Sequence, residues 1–132
     1  MAAKNKTILI VDDEVNLLEV FSEKLKSAGY DVAEAASGEA AIEKLKTIRP
    51  DLILLDLKMA PGMDGMETIS KIKENPQWRK IRVAFLTNYG EPRPQEAWID
   101  EKVSREVGAV AYIRKTDDLD KIAEEINSIL EH

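Results

Sequence analysis

Short apolar runs of strand length recur five times along the chain, at residues 8–11, 32–36, 52–55, 83–86 and 110–113. The run at 32–36 is the weakest, whereas those that begin at Ile8 and Leu52 are continuous rather than alternating. A continuous run is typical of a strand covered on both faces, as in a parallel sheet with helices above and below. The pattern therefore predicts five strands of one parallel sheet.

Between the runs, apolar residues repeat with helical spacing, which places them on one stripe of a helix. The stripes are Leu17, Leu18, Phe21 and Leu25; Ala41, Ile42, Leu45 and Ile48; a third segment that opens at Asp64; Ile99, Val103 and Val107; and Leu119, Ile122, Ile126, Ile129 and Leu130. Strand and helix thus alternate five times. This alternation favours an α/β fold with an open, doubly wound parallel sheet and right-handed crossovers.

Start and stop signals bound these predicted helices. Ser37 and Asp64 are of the residue types that cap helix N-termini, and Glu67 follows Asp64 at the spacing of a capping box. Thr116 or Asp117 is the expected cap of the last helix. The predicted stop signals are Gly29, Pro50, Pro76 and Gly108.

Composition narrows the class of protein further. The chain has 132 residues, 44% hydrophobic and 33% charged, which indicates one globular domain with its own core. It has no cysteine, so disulfide frameworks and thiolate zinc sites are excluded. Because the net charge is −6, we expect neither nonspecific nucleic-acid binding nor attraction to anionic lipid.

The two ends of the chain add expectations about location and boundaries. Residues 1–7 are short and polar, and no signal peptide or membrane span can be read after them, so we expect a cytoplasmic protein. We expect a single domain over residues 1–132, with a core at about 7–130. Glu131 and His132 resemble the remnant of a cloning site before a histidine tag.

Polar residues follow four of the five predicted strands. Acids follow the first strand at Asp12 and Asp13 and the third at Asp56, while Thr87 ends the fourth and Lys115 follows the fifth. Ligands of such sheets bind at the carboxyl ends of the strands, so these side chains are predicted to share one edge. Taken singly, Asp12 or Asp13 is better explained as a helix cap; the combination of residues favours a site.

Acids gathered at one edge need a compensating charge, because two unit charges ~4 Å apart repel by roughly 4 kcal/mol at an effective dielectric of ~20. A divalent cation provides it, and oxygen ligands favour Mg²⁺, Mn²⁺ or Ca²⁺ over zinc. Mg²⁺ leaves coordination positions for a phosphoryl oxygen, while Lys115 and Thr87 are suited to two others. The residues therefore indicate a site for phosphate on a carboxylate.

Four segments carry a combined motif: ILIVDDE, DLILLDLKMAPGMDGMETI, VAFLT and GAVAYIRK. They resemble the receiver domain of bacterial two-component response regulators, particularly the single-domain chemotaxis type, over about residues 7–130. The resemblance implies a flavodoxin-like strand order of 2-1-3-4-5. It also implies that Asp56 accepts a phosphoryl group from a phosphohistidine and forms an acyl phosphate.

The resemblance assigns roles to the other residues. Asp12 and Asp13 would hold Mg²⁺, with Asp13, Asp56 and the backbone carbonyl of Lys58 as direct ligands. The side chains that would contact the phosphoryl group or respond to it are Thr87, Tyr112 and Lys115. For Tyr112, packing in the core remains an equally good explanation.

Three features depart from the family pattern. Ala60 separates Met59 from Pro61 in the loop after the third strand, and Thr116 stands where the family has a proline. The segment between Thr87 and Lys115 is also longer than usual in the family. These differences lie around the expected site and on the expected output face.

The resemblance implies a switch rather than a turnover enzyme, one that slowly loses its own phosphoryl group. Its expected partners are a histidine kinase or phosphotransfer protein and a downstream protein, an output domain of its own, or a second copy bound through the fourth helix, fifth strand and fifth helix. Two alternatives are a small phosphatase with an aspartyl-phosphate intermediate and a docking module that needs no phosphate. Lys58 disfavours the phosphatase, because it stands where such enzymes usually have a second acid.

Overall fold

A five-stranded parallel sheet forms the centre of the molecule. The computed structural model of the chain describes residues 6–57, 64–87, 108–115 and 118–131. The strands are β1 (Thr7–Val11), β2 (Asp31–Ala35), β3 (Leu52–Asp56), β4 (Arg82–Thr87) and β5 (Ala111–Arg114). Their order across the sheet is β2-β1-β3-β4-β5, which confirms the expected order.

Helices flank the sheet. Those in the described residues are α1 (Val15–Ser27), α2 (Gly38–Leu45), α3 (Gly65–Glu74) and α4 (Leu119–Glu131). Here α4 is the last of the five predicted helices, and the fourth, predicted around Ile99, Val103 and Val107, lies outside the described residues. No helix in the described ranges is long and apolar enough to cross a membrane.

Both faces of the sheet are buried, as the continuous apolar runs predicted. Leu9 and Val11 of β1 pack in the same cluster as the apolar side chains of α2 and α3. Ile8 and Ile10 pack in the other cluster, with α1 and α4. Because successive strand residues point to opposite faces, β1 contributes to both halves of the core. The strand ends are therefore held at fixed positions.

Several helix boundaries agree with the sequence signals. Ser37 Oγ accepts a hydrogen bond from Ala40 N at 3.0 Å, so it caps α2. Asp64 Oδ1 accepts one from Glu67 N at 2.9 Å and caps α3. Gly29 has a φ of 104°, a left-handed conformation that glycine adopts without steric cost, just after α1.

Two boundary predictions were wrong. Ile48 lies beyond α2, which ends at Leu45. Lys46 N and Thr47 N bond to the carbonyls three residues back, so the helix tightens into a turn, and the last bond, from Ile48 N, returns to Lys44 O. At α4, Asp118 Oδ1 accepts a hydrogen bond from Asp120 N at 3.0 Å. Asp118 therefore takes the capping role that was expected of Thr116 or Asp117, two residues outside the described part of the chain.

Candidate functional site

Three carboxylates converge where β1 and β3 end. Asp12 follows β1 and Asp56 is the last residue of β3, and both side chains are buried. Asp13 is exposed beside them. One oxygen from each of the three acids lies within 4.8 Å of the others. The structure thus brings together the acids that the sequence placed at one sheet edge.

Lys115 provides a buried positive charge among these acids. Its Nζ lies 2.8 Å from Asp12 Oδ2, 3.1 Å from Asp56 Oδ2 and 3.5 Å from Glu14 Oε1. Its backbone N–H donates to Thr87 O at 2.9 Å, which fixes the residue at the end of β5. Lys115 therefore offsets part of the repulsion among these acids.

Burial shapes the protonation of this cluster. Burial raises the pKa of Asp12, and the charge of Glu14 adds to this, while the Lys115 ammonium and the Glu14 N–H oppose it. Burial alone would lower the pKa of Lys115, but Asp12 and Asp56 outweigh it, so this pKa is raised. Lys115 is accordingly held in its charged form.

The donor atoms fit a divalent cation. Asp12 Oδ1 accepts a hydrogen bond from Glu14 N at 2.9 Å, whereas no described residue donates a well-directed hydrogen bond to the buried Asp12 Oδ2. Carboxylate oxygens from Asp12, Asp13 and Asp56 are the ligands that Mg²⁺ prefers, and Mn²⁺ and Ca²⁺ accept them too. The expected backbone ligand, Lys58, lies outside the described residues.

Thr87 and Tyr112 meet beside the acids. Thr87 is the last residue of β4, and its Oγ1 accepts a hydrogen bond from the Tyr112 hydroxyl at 3.1 Å. Tyr112 is half-buried and packs against the core cluster on the α2 and α3 side of the sheet. The ring of Tyr112 therefore packs against the core, while its hydroxyl is hydrogen-bonded to Thr87, a predicted site residue.

Glycine at position 65 allows α3 to approach the site, which the sequence analysis missed. A Cβ on Gly65 would lie 2.4 Å from Asp56 O and 2.8 Å from Leu57 Cα, closer than real Cβ atoms come. Gly65 N also donates to Leu57 O at 3.1 Å. A signal was present, since glycine is a poor helix former and stands directly after the cap Asp64.

Glu14 is a second residue that received no role from the sequence. It forms the N-cap position of α1, where its side chain makes no capping hydrogen bond. Instead, its carboxylate lies near Lys115 and its backbone N–H supports Asp12. The sequence showed it only as a third consecutive acid.

The strand order and the acidic cluster define a flavodoxin-like α/β domain with a group of acids, at the carboxyl ends of its strands, that could hold a cation. A sequence profile described as the response regulator receiver domain matches residues 8–127. The chain belongs to this family, the phosphoacceptor domains of two-component signalling, which confirms the resemblance seen in the sequence.

Individual relatives agree with this assignment. Sporulation initiation phosphotransferase F of Bacillus subtilis is 37% identical over 126 residues, which cover 96% of this chain and 94% of that protein. The phosphate regulon transcriptional regulatory protein PhoB of Pseudomonas aeruginosa is 40% identical over 111 residues, 83% of this chain. The match covers only 45% of that regulator, so the chain spans less than half of some relatives.

Solved structures show the same fold. The chemotaxis protein CheY4 of Vibrio cholerae superimposes with a TM-score of 0.82 at 26% identity, covering 95% of this chain and 98% of that one. A receiver domain protein from Methanospirillum hungatei gives 0.82 at 28% identity, covering 97% and 95%. Nothing in these comparisons favours the small phosphatase or the phosphate-independent docking module.

Proposed function

We propose that Asp56 is the phosphoacceptor of this receiver domain and that Asp12 and Asp13 hold Mg²⁺ beside it. The observation that carries the proposal is the convergence of three carboxylates around the buried ammonium of Lys115. Burying carboxylates and an ammonium is costly unless the opposite charges pair with one another or with a ligand. An arrangement of this kind suits a negatively charged group attached to a carboxylate.

The transfer is a single displacement at phosphorus. An oxygen of Asp56 attacks the phosphorus of a phosphohistidine, an O–P bond forms, and the P–N bond breaks with its electron pair left on the imidazole nitrogen. Because Lys115 Nζ lies 3.1 Å from Asp56 Oδ2, it is placed to pair with an oxygen of the bound phosphoryl group. Positioning and charge compensation supply the catalysis.

The other residues hold the acceptor ready. Asp12, Asp13 and Asp56 would hold the Mg²⁺, which supplies charge neutralisation to the acids and the incoming phosphoryl group. The carbonyl of Lys58 is proposed as a further ligand. The Thr87 hydroxyl is proposed to donate a hydrogen bond to a phosphoryl oxygen, since it accepts one from Tyr112 and has a donor of its own.

The proposed biological role is that of a switch and not of a turnover enzyme, since the accepted group remains on the protein until it is hydrolysed or passed on. The donor would be a histidine kinase or phosphotransfer protein in the cytoplasm, docking near α1 and the loops around Asp56. The charge gained would shift a conformational equilibrium and change the surface offered to a downstream protein, an output domain or a second copy. Moving that equilibrium from 1:99 to 99:1 needs about 5.5 kcal/mol.

Intact-mass spectrometry after incubation with acetyl phosphate tests the acceptor. We expect one phosphoryl adduct on the wild-type protein with Mg²⁺, little without it, and none on Asp56→Asn. The matched control is Asp31→Asn, an exposed acid at the start of β2, which should be phosphorylated like the wild type. An adduct on Asp56→Asn, or one that forms equally well without a divalent cation, would overturn the proposal.

A further inference from the structure

A polar cavity lies at the end of the sheet where the strands begin, opposite the acidic cluster. Its volume is about 320 Å³. Lys6 precedes β1, Arg49 and Asp51 precede β3, and Lys80 leads into Arg82 at the start of β4. The adjacent strands β1 and β3 are each five residues long, so the cavity is roughly 16 Å from the acidic cluster.

The cavity is basic although the chain is acidic overall. Four of its described lining residues are cationic, namely Lys6, Arg49, Lys80 and Arg82. The chain as a whole has a net charge of −6. Four like charges around one cavity repel one another, so an anion bound among them would relieve that repulsion.

The lining has more positive than negative charges. Asp51 is the one carboxylate among the described lining residues, against four cations, and its Oδ2 accepts a hydrogen bond from Thr7 N at 2.8 Å, which holds it beside β1. Within the described ranges, no acid forms an ion pair with Lys6, Arg49 or Lys80. As far as the described residues go, the charges of these three side chains are not used in ion pairs.

Arg82 is held in place at the cavity wall. Its guanidinium donates a hydrogen bond to Ile129 O near the end of α4, and the planar group has further N–H donors. It is half-buried, so less freedom is lost when it binds a ligand. Pro50, Ile81 and Leu130 are the buried residues among those that line the cavity.

We propose that this cavity binds a small multivalent phosphate anion, independently of the phosphoacceptor site. Guanidinium groups match the oxygens of phosphate in a forked geometry, and ammonium groups add point charges. The cavity is large enough for a small ligand, and its largely charged lining suits a diphosphate group better than an apolar molecule. Because the two sites lie at opposite ends of the strands, both can be occupied at once.

Pyrophosphate in Mg²⁺-free buffer is the probe, followed by two-dimensional amide NMR. We expect saturable shifts at Lys6, Thr7, Asp51 and Arg82, and an affinity that falls as salt is added. The double variant Arg49→Ala/Lys80→Ala should lower the association constant about tenfold. Its amide spectrum also reports whether the variant is folded.

The matched control removes two exposed cations elsewhere, in Lys44→Ala/Lys46→Ala at the end of α2, and gives the same net charge. It should bind pyrophosphate like the wild type. The proposal fails if the control loses as much affinity as the test variant, because binding would then follow net charge alone. It also fails if the shifts do not saturate or if they map to the carboxyl ends of the strands.

Discussion

At the scale of single residues, Lys115 has the largest influence on the buried charges. Its ammonium contacts carboxylates that come from two strands, and its own side chain is 5% exposed. Removing one partner from a buried ion pair leaves the other charge uncompensated, which costs more than the pair itself contributes. The stability of the metal-free protein should therefore depend on this one side chain.

We expect Lys115→Met to lower the free energy of unfolding by about 3 to 5 kcal/mol in a buffer that contains a chelator. Excess Mg²⁺ should restore part of that loss, because the metal takes over the compensation of charge. Urea denaturation with and without Mg²⁺ measures both effects. Lys46→Met is the control, since Lys46 pairs with Glu43 on the exposed surface, where an ion pair contributes little. A loss in Lys115→Met no larger than in the control would contradict this account.

Gly65→Ala tests the close approach of α3 to the phosphoacceptor strand. Helix propensity alone would favour alanine, by about 1 kcal/mol. We expect the opposite sign, a loss of about 1 to 3 kcal/mol, because the new Cβ would meet the backbone of Asp56 and Leu57. Urea denaturation gives the sign, and acetyl phosphate labelling should be slower because Asp56 is displaced.

The control is Ser70→Ala, an exposed position in the same helix where no such contact arises. It should leave stability unchanged or raise it slightly, and it should be phosphorylated at the wild-type rate. Equal behaviour of the two variants would show that the glycine is not required by the backbone of Asp56.

At the scale of elements, side-chain contacts join α4 to α1 and to the turn that follows α1. Lys24 of α1 pairs with Asp120, and the Tyr30 hydroxyl donates to Asn127 Oδ1 at 3.1 Å. Burial raises the pKa of Tyr30 above its usual 10.0, and the charge of Glu131 adds to the effect. The contact between the two elements thus contains a group that titrates at high pH.

The sign of its pH dependence follows from the raised pKa. As the pH rises past about 10, Tyr30 ionises in the unfolded chain before it does in the folded one, so the free energy of unfolding falls. We expect a smaller fall in Tyr30→Phe, measured by urea denaturation between pH 8 and pH 11. Other groups that titrate in this range, such as Lys73, whose pKa is lowered by burial, affect both proteins equally, so the difference between the two pH profiles isolates Tyr30. Identical pH profiles for the two proteins would contradict the prediction.

Elements were predicted well from the sequence where a local pattern determines them. The apolar run of β3 and the caps Ser37 and Asp64 needed only neighbouring residues to be recognised. The end of α2 and the cap Asp118 were missed. Several neighbouring residues could end α2 or cap α4, and tertiary packing selects among them.

The site was predicted in part for a related reason. That Asp12, Asp56 and Lys115 share one sheet edge follows from topology alone. Which acids lie closest to the ammonium, and that Gly65 must lack a side chain, depend on distances between segments remote in sequence. A linear pattern contains no such distances.

At the scale of the whole molecule, Mg²⁺ should stabilise the fold by mass action. A ligand that binds only the folded state adds about 2.7 kcal/mol at 100 times its dissociation constant. We expect the thermal midpoint of the wild type to rise with Mg²⁺ concentration and that of Asp13→Asn to rise much less. Asp13 is suitable because it is exposed, so the variant should fold.

Differential scanning calorimetry at several Mg²⁺ concentrations measures the shift, with Asp31→Asn as the control that should respond like the wild type. A response of Asp13→Asn equal to that of the wild type would mean that the exposed acid is no ligand.

The ion pairs of Lys115 also connect parts of the sheet that share no backbone hydrogen bonds. β5 is an outermost strand, separated from β1 by β3 and β4, yet the side chain of Lys115, the residue that follows β5, reaches Asp12 just after β1. A negative charge added to Asp56 at the end of β3 therefore attracts Lys115 directly. It can act on the outermost strand β5 without first deforming β4, which lies between them. A change of charge at Asp56 can thus alter the position of Lys115 at the end of β5 directly.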